Sequence, residues 1–171
     1  YTSASGSPIQ ACVAAGVLTI GDHHGGAGEI SAGLLDDYLA ARSTEPMDEI
    51  AQELVADRQE SGERVPGFGH PEHTDGDPRA QVLIDIARQE GVGDEALELA
   101  LAVEQTLVES VGSGLKMNIN GVTAALLLDL GFDPSFARPL IIMARVPGLI
   151  VHAIEERSEE HTSELQSRMF I

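Results

Sequence analysis

Apolar residues recur every three or four positions along most of the chain, the spacing at which side chains share one face of an α-helix. Charged and glycine-containing segments separate these periodic stretches. The pattern predicts helices over 9–19, 27–42, 46–55, 77–91, 94–108 and 121–130, with a last helix from 133. No alternation of apolar and polar positions reaches the length typical of a strand. The predicted fold class is therefore all-α.

Two of these helices carry the clearest apolar stripes. In the first, Ile30, Leu34, Leu35, Tyr38 and Leu39 share one side and are predicted to face the core. The second runs through the apolar residues Val82, Leu83, Ile86 and Ala87. Asp77 followed by Pro78 marks a helix start, because the carboxylate can cap free N–H groups and proline presets the first turn. Arg79 then lies in a first helical turn. Pro139 and Pro147 are expected to interrupt or kink the last helix.

The chain is strongly acidic, with 28 aspartate and glutamate residues, 10 lysine and arginine residues, and a net charge of −18. Nucleic acids and anionic membranes attract basic surfaces, so neither is expected as the main partner. An anionic ligand must then be held locally, by individual cations. Lys116 is the only lysine, and arginine supplies the other fixed positive charges.

Cysteine content and the two ends of the chain bear on its origin. Cys12 is the single cysteine, so no internal disulfide can form and a cytoplasmic, reducing location is expected. No uninterrupted apolar run reaches the ~18 residues of a membrane span, and no signal-peptide pattern opens the chain. The start without methionine suggests a fragment of a longer protein. Residues 157–171 resemble a translated sequencing adapter and are predicted to be an appended tail.

Functional side chains concentrate in three segments outside the apolar stripes. They are 21–29 (GDHHGGAGE), 67–79 (GFGHPEHTDGDPR) and 116–122 (KMNINGV), the last followed by Arg145 in MARVPG. The segment 67–79 has several interpretations: a metal loop, a phosphate cradle, a site for a carboxylic acid, or polar residues that only join helices.

A metal site would pair His70 with His73 and add Asp75 or Asp77. Proline follows His70, however, and neither HExxH nor CxxC occurs, so the chain lacks a recognised metal motif. Metal ligands are therefore not predicted. The glycines match neither of the common phosphate-binding patterns, and no strand precedes them. The choice between a carboxylic-acid site and plain loops stays open on the residues alone.

Four motifs in order carry a resemblance to a known family. They are AGVLTIGDHHGGAGE, then VPGFGH with DPRAQVL, then MNINGVTAALLLDLG, then MARVPGLIVHAIEE. Together they resemble the citrate synthase superfamily, and within it the bacterial citryl-CoA lyase-like members and the citryl-CoA lyase module of ATP-citrate lyase. The resemblance covers residues 9–156. It implies a helical large domain, present only in part, into which a small helical domain is inserted.

The resemblance implies an enzyme that joins the methyl carbon of acetyl-CoA to the ketone of oxaloacetate, or cleaves citryl-CoA in reverse. His24 corresponds to the histidine that polarises the thioester, and His70 to the histidine that serves the ketone or alcohol oxygen. Arg79 and Arg145 correspond to arginines that bind the dicarboxylate. The acyl-CoA is a substrate, and no cofactor is implied.

Two positions depart from the family pattern. Pro71 stands where an arginine usually follows the second histidine, which lowers the local positive charge. Asn120 stands where the family has its catalytic aspartate, and an amide neither accepts nor releases a proton at ordinary pH. The chain is therefore either a C–C bond-forming or bond-cleaving enzyme, or a catalytically weakened homologue that binds acyl-CoA or dicarboxylate. A helical interaction domain without a ligand is the third hypothesis.

The resemblance also implies a domain organisation. Residues 1–24 are predicted to belong to the large domain, 25–129 to the small domain, and 130–156 to large-domain return helices. The full-length protein is expected to form a homodimer.

Overall fold

The computed structural model describes residues 2–22, 24–112 and 114–169, with side chains described as far as residue 159. Its helices are α1 (Ile9–Val17), α2 (Ala27–Ala41), α3 (Met47–Ser61), α4 (Pro78–Glu90), α5 (Glu95–Ser110), α6 (Ile119–Asp129) and α7 (Ala137–Met169), with a short 3₁₀ turn over Pro134–Phe136. The described residues contain isolated β-bridges and no strand. The prediction of an all-α fold is confirmed.

The chain divides into two compact units. One is Gly26–Arg138, which holds α2 to α6, and the other combines Tyr1–Gly25 with Pro139–Ile171. The predicted domains 1–24, 25–129 and 130–156 refer to the complete protein and stay predictions. Helix α7 continues to Met169. The origin of the tail 157–171 also stays a prediction.

The Gly26–Arg138 unit is built around the contacts of α3 with α5, of α2 and α4 with α6, and of α5 with α6. Its largest fully buried apolar side chains are Leu35, Ile50, Leu54, Leu99, Val103 and Val122. Full burial of each such side chain stabilises the fold by about 1.5 to 3 kcal/mol. Ala124 and Ala125 on α6 are completely buried, and their small side chains let neighbouring helices approach closely.

The predicted apolar stripe of α4 is partly wrong. Ala80, Ile84 and Ala87 form its buried face, whereas Val82 and Ile86 are 56% and 49% exposed. Ala87 belongs to the predicted stripe and is buried as expected, whereas Ala80 and Ile84 were not predicted. Alanine gives a weak signal in the sequence because its apolar surface is small. Ile30 on α2 is likewise 47% exposed rather than buried.

Of the prediction that Pro139 and Pro147 interrupt or kink the last helix, the interruption is wrong and the kink stays a prediction. Helix α7 runs on through Pro147, and Pro139 lies in its first turn, where N–H groups have no partner within the helix. Because the prolines do not break it, the segment Pro134–Glu159 is long and apolar enough to cross a membrane by length and composition alone. The expectation that no segment meets that test is corrected accordingly. Core helices of water-soluble proteins pass the same test.

The first turn of α5 is capped by a residue from another helix. Asp94 occupies the N-cap position, as the sequence predicts, but its side chain makes no capping hydrogen bond. Instead the carboxylate of Asp129, at the end of α6, accepts from the backbone N–H groups of Asp94 at 2.7 Å, Ala96 at 2.9 Å and Leu97 at 3.1 Å. One carboxylate therefore fixes the start of α5 against the end of α6.

We expect Asp129→Ala to lower the free energy of unfolding by about 1 to 2 kcal/mol, the upper part of the range for a lost helix cap. Urea denaturation of the chain measures it. The matched control is Asp85→Ala, because Asp85 is exposed and its side chain accepts a hydrogen bond from Gln81 on the same helix. Equal losses in the two variants would show that Asp129 does not act as the cap.

Candidate active site

Two loops of the Gly26–Arg138 unit meet through backbone hydrogen bonds. The N–H of Gly69 donates to the carbonyl of Lys116 at 2.7 Å, and the N–H of Asn118 donates to the carbonyl of Gly67 at 2.9 Å. These bonds flank a single antiparallel bridge. The loop that carries HPEHTDGDPR is thereby fixed to the loop that leads into α6.

Asn118 strengthens this junction with its side chain. Its Nδ2 donates to the carbonyl of Gly69 at 2.7 Å, and its Oδ1 accepts from the N–H groups of Asn120 at 2.9 Å and Gly121 at 3.4 Å. The oxygen is the N-cap of α6. Both ends of the amide are used, so an aspartate at this position would lose the donor. Asn118 thus sets the first turn of α6, which contains Asn120, against the loop before His70.

Two glycines make the close approach possible. Gly67 has φ of +89°, and a Cβ there would lie 2.7 Å from the Cα of Gly121 and 2.7 Å from the Oγ of Ser31. A Cβ on Gly121 would lie 2.5 Å from the carbonyl oxygen of Gly67. Real Cβ atoms do not approach this closely. The loop and α6 can therefore pack as they do only when both positions lack a side chain.

His70 has a defined hydrogen-bonding direction. Its Nδ1 accepts from the backbone N–H groups of Glu72 and His73, each at 3.1 Å. A neutral imidazole that accepts at Nδ1 carries its proton on Nε2. The ring also packs on that of His73, with centroids 4.5 Å apart. His70 can therefore present an N–H donor to an oxygen atom, as the predicted role requires.

Asp77 connects Arg79 to the start of α6. Its carboxylate accepts from Nε of Arg79 at 2.9 Å, from Nη2 of Arg79 at 2.8 Å, and from the N–H of Ile119 at 2.9 Å. It also caps α4 through the N–H of Arg79 at 3.0 Å. The Asp77 side chain is fully buried. Its pKa lies far below the usual range, mainly because the carboxylate is hydrogen-bonded to the Arg79 guanidinium and, to a smaller extent, because backbone N–H groups donate to it.

The pairing leaves one edge of Arg79 for a ligand. Asp77 occupies the Nε and Nη2 edge, whereas the guanidinium has five donors in a planar fork. The Arg79 side chain is 53% exposed, so the edge formed by Nη1 and Nη2 can still bind a carboxylate in bidentate fashion. Arg79 is thus oriented on one side and accessible on the other.

A cavity of about 680 Å³ opens next to His70. The side chains that matter for its chemistry are Arg58, Arg64, Val65, Phe68, His70 and Leu115. Apolar groups together with two arginines suit a ligand that combines an apolar portion with anionic groups. Arg58 is also paired with Glu63, so part of its charge is already balanced.

The remaining predicted site residues have the following places. Asn120 is half-buried in the first turn of α6, which begins two residues before the predicted start at 121. His24 and Arg145 are exposed and belong to the other compact unit, where the backbone of His24 pairs with that of Gly21. Their convergence with His70 and Asn120 stays a prediction.

The sequence-based prediction missed three contributors to the site. Asp77 is predicted only as a helix cap, and Asn118 only as part of a motif. Glu104 on α5 is missed entirely, although its Oε2 accepts from the N–H of Met117 at 2.6 Å. A charged residue in the mainly apolar stretch LALAVEQTLV is the signal that could have found it. In the described part of the chain, no group of three or more histidine, cysteine or acidic residues is placed to hold a metal ion.

The chain is similar in sequence to a known protein family. The family described as citrate synthase, C-terminal domain, matches residues 1–165. The chain belongs to the citrate synthase family. Citrate synthase of Haloferax volcanii is 30% identical over 161 residues, which are 91% of this chain and 40% of that protein. The chain thus spans less than half of the length of this curated relative.

Solved structures agree with this assignment. Citryl-CoA lyase from Hydrogenobacter thermophilus superimposes with a TM-score of 0.80 at 32% identity, covering 91% of this chain and 59% of that one. ATP citrate lyase from Methanothrix soehngenii, solved in complex with citrate and coenzyme A, gives a TM-score of 0.77 at 27% identity, covering 92% and 27%. The citrate synthase-like fold is therefore shown by sequence and by structure.

We expect Asp77→Asn to lower the free energy of unfolding by about 1 to 3 kcal/mol near neutral pH, because a buried, charge-assisted set of hydrogen bonds is lost. The Asp77 pKa is lowered on folding from its ordinary 3.8, so this stabilisation is fully present above that pH and disappears as the pH falls through the folded-state pKa.

The measurement is urea denaturation across the acidic range, with Asp75→Asn as the control because Asp75 is exposed. The two variants should differ near neutral pH and converge in strong acid. A constant difference at all pH values would contradict the assignment of the charge to Asp77.

Proposed function

We propose that the full-length protein acts on an acyl-CoA and a keto dicarboxylate, forming or cleaving the C–C bond between the acyl methyl carbon and the ketone carbon. One observation carries the proposal: Asp77 and Asn118 tie the His70 loop, Arg79 and the first turn of α6 into one hydrogen-bonded unit. Family membership and the fold of the citryl-CoA lyase from Hydrogenobacter thermophilus support it.

The chemistry assigns a role to each residue. Bond formation requires removal of a methyl proton, stabilisation of the resulting enolate, and delivery of a proton to the ketone oxygen as it becomes a hydroxyl. His24 would donate to the thioester oxygen, and His70 would donate from Nε2 to the ketone oxygen. Arg79 and Arg145 would bind the two carboxylates. In the cleavage direction the same groups act in reverse order.

The cavity beside His70 is the proposed place of the CoA portion. Its apolar walls at Val65, Phe68 and Leu115 would contact the uncharged arm, and Arg58 and Arg64 would meet the phosphates. The net charge of −18 opposes binding of a polyanion at long range. Local cations at the cavity edge are therefore needed to hold it.

Asn120 decides between two forms of this proposal. An amide can hold a substrate by hydrogen bonds but cannot take its proton. Loss of a general base typically costs about 10² to 10⁴ in rate, so binding would survive while turnover becomes slow. The second candidate function is therefore a catalytically weakened homologue that binds acyl-CoA or dicarboxylate. Assembly as a homodimer and a cytoplasmic location are proposed for either form.

We expect Asn120→Asp in the full-length protein to raise the rate of citryl-CoA cleavage, or of acetyl-CoA methyl proton exchange, by about 10² or more with little change in affinity. The substitution nearly preserves the side-chain shape and restores the base. Steady-state kinetics of both forms measure it.

Asn120→Ala is the matched control and should turn over as slowly as the natural sequence. If the natural sequence already matches Asn120→Asp, the base lies elsewhere. If neither turns over and both bind ligand, the second candidate function is supported.

We expect Arg79→Ala and Arg145→Ala each to weaken citrate binding by about 1.5 to 3 kcal/mol, the range for hydrogen bonds to charged groups. Titration calorimetry with the full-length variants measures the change. Arg88→Ala, which removes an exposed cation near the end of α4, should leave affinity unchanged. Unchanged affinity in both test variants would exclude the dicarboxylate site.

A further inference from the structure

Lys116 connects two points of the loop that carries His70 and Arg79. Its carbonyl accepts from the N–H of Gly69 at 2.7 Å, and its Nζ donates to the carbonyl of Asp75 at 2.9 Å. It is the only lysine of the chain. One residue therefore contacts the loop just before His70 and again shortly before Arg79.

The aliphatic part of the Lys116 side chain also supports the loop by packing. Gly76 has φ of +122°, and a Cβ there would lie 3.3 Å from Cδ of Lys116. The N–H of Gly76 donates to the carbonyl of His73 at 3.2 Å, closing a turn above the lysine stem. The chain can cross Lys116 this closely because Gly76 has no side chain and can adopt a positive φ.

The residue that supports the loop is itself held firmly. The N–H of Met117, next in sequence, donates to Glu104 on α5, and Asn118 begins α6. Between the anchors at Gly69 and Asp77, residues 70–76 form no regular secondary structure. Among the described side chains outside residues 70–76, Lys116 is the one that donates a hydrogen bond to the backbone of this segment, at the carbonyl of Asp75.

We propose that Lys116 is a positioning residue for the site, which keeps His70 and Arg79 at a fixed spacing by holding the loop at Asp75. The inference rests on the proposed function, because its effect is expected in ligand binding. It goes beyond that function by assigning a role to a side chain that is not among the proposed substrate-binding residues. Preoriented groups hold a dicarboxylate less tightly when one of them moves. A displacement of about 1 Å is enough to remove much of the benefit of correct orientation.

The backbone and side-chain contacts of Lys116 can be separated by mutation. Lys116→Met keeps the apolar stem and the carbonyl bond to Gly69 but removes the donor to Asp75. Hydrogen exchange in the full-length protein should then become faster at the Gly76 amide, by about tenfold, and stay unchanged at the Gly69 amide. Lys116→Arg, which restores a cationic donor, should recover the slow exchange at Gly76.

Citrate titration of the same variants tests the positioning role. We expect Lys116→Met to weaken citrate binding by about tenfold, and Lys116→Arg to recover most of the affinity. Arg88→Met is the matched control, because it removes one positive charge at an exposed position of α4 and should leave affinity unchanged. In the Arg79→Ala background, Lys116→Met should have a smaller effect than in the natural sequence, since the two residues then act through one loop.

Three outcomes test the positioning role of Lys116. Faster exchange at Gly76 with lower affinity, rescued by Lys116→Arg, supports the positioning role. Unchanged exchange at Gly76, or an affinity loss equal to that of Arg88→Met, overturns it. A natural sequence that binds neither citrate nor a CoA thioester would refute the proposed function, and exchange at Gly76 would still show whether Lys116 holds the loop.

Discussion

The two backbone hydrogen bonds that join Gly67 and Gly69 to the loop before α6 are the constraint on which the rest of the candidate site depends. They fix two segments that are far apart in sequence, and each neighbouring side chain then extends the same junction. Asn118 uses both ends of its amide there, and Asp77 reaches across to the first turn of α6. Buried polar networks of this kind are stabilising only when every member has its partner. The network is therefore expected to form as a unit, and loss of one member should disturb several others.

Charge in the site is arranged differently from charge on the surface. The chain as a whole is strongly acidic and exposes most of its carboxylates. The Asp77 carboxylate, in contrast, is buried and hydrogen-bonded to Arg79. Pairing lowers the net positive charge that Arg79 offers to a ligand, and Pro71 supplies none. In exchange the guanidinium is held in one orientation, which reduces the entropy lost when a carboxylate binds. Under the proposed function, this geometry would favour selectivity for planar carboxylates over strong attraction of any anion.

The sequence predicts the helices well and the contacts between loops poorly. The start of α4 at Asp77 and Pro78 was predictable because capping and the proline ring act within one turn. The buried face of α4 was predictable only in part, since Ala87 belongs to the predicted stripe but Ala80 looks neutral in a hydrophobic pattern although it is buried. The roles expected of His70 and Arg79 rest only on resemblance to a family, and they stay predictions. Asp77, Glu104 and Lys116 act across long sequence separations, and no local rule describes such contacts.

The contact between Gly67 and Gly121 has a consequence for laboratory evolution of this protein. Each position faces backbone atoms of the other, so an alanine at either one would require the loop and α6 to separate. Libraries that diversify the loop should keep both glycines invariant, because a side chain at either position would disturb the packing of the loop against α6. Neighbouring positions such as Pro71 and Glu72, which are exposed, can be varied without this penalty. At these two positions, the contact between the loop and α6 limits which residues can be substituted, independently of any contact with a ligand.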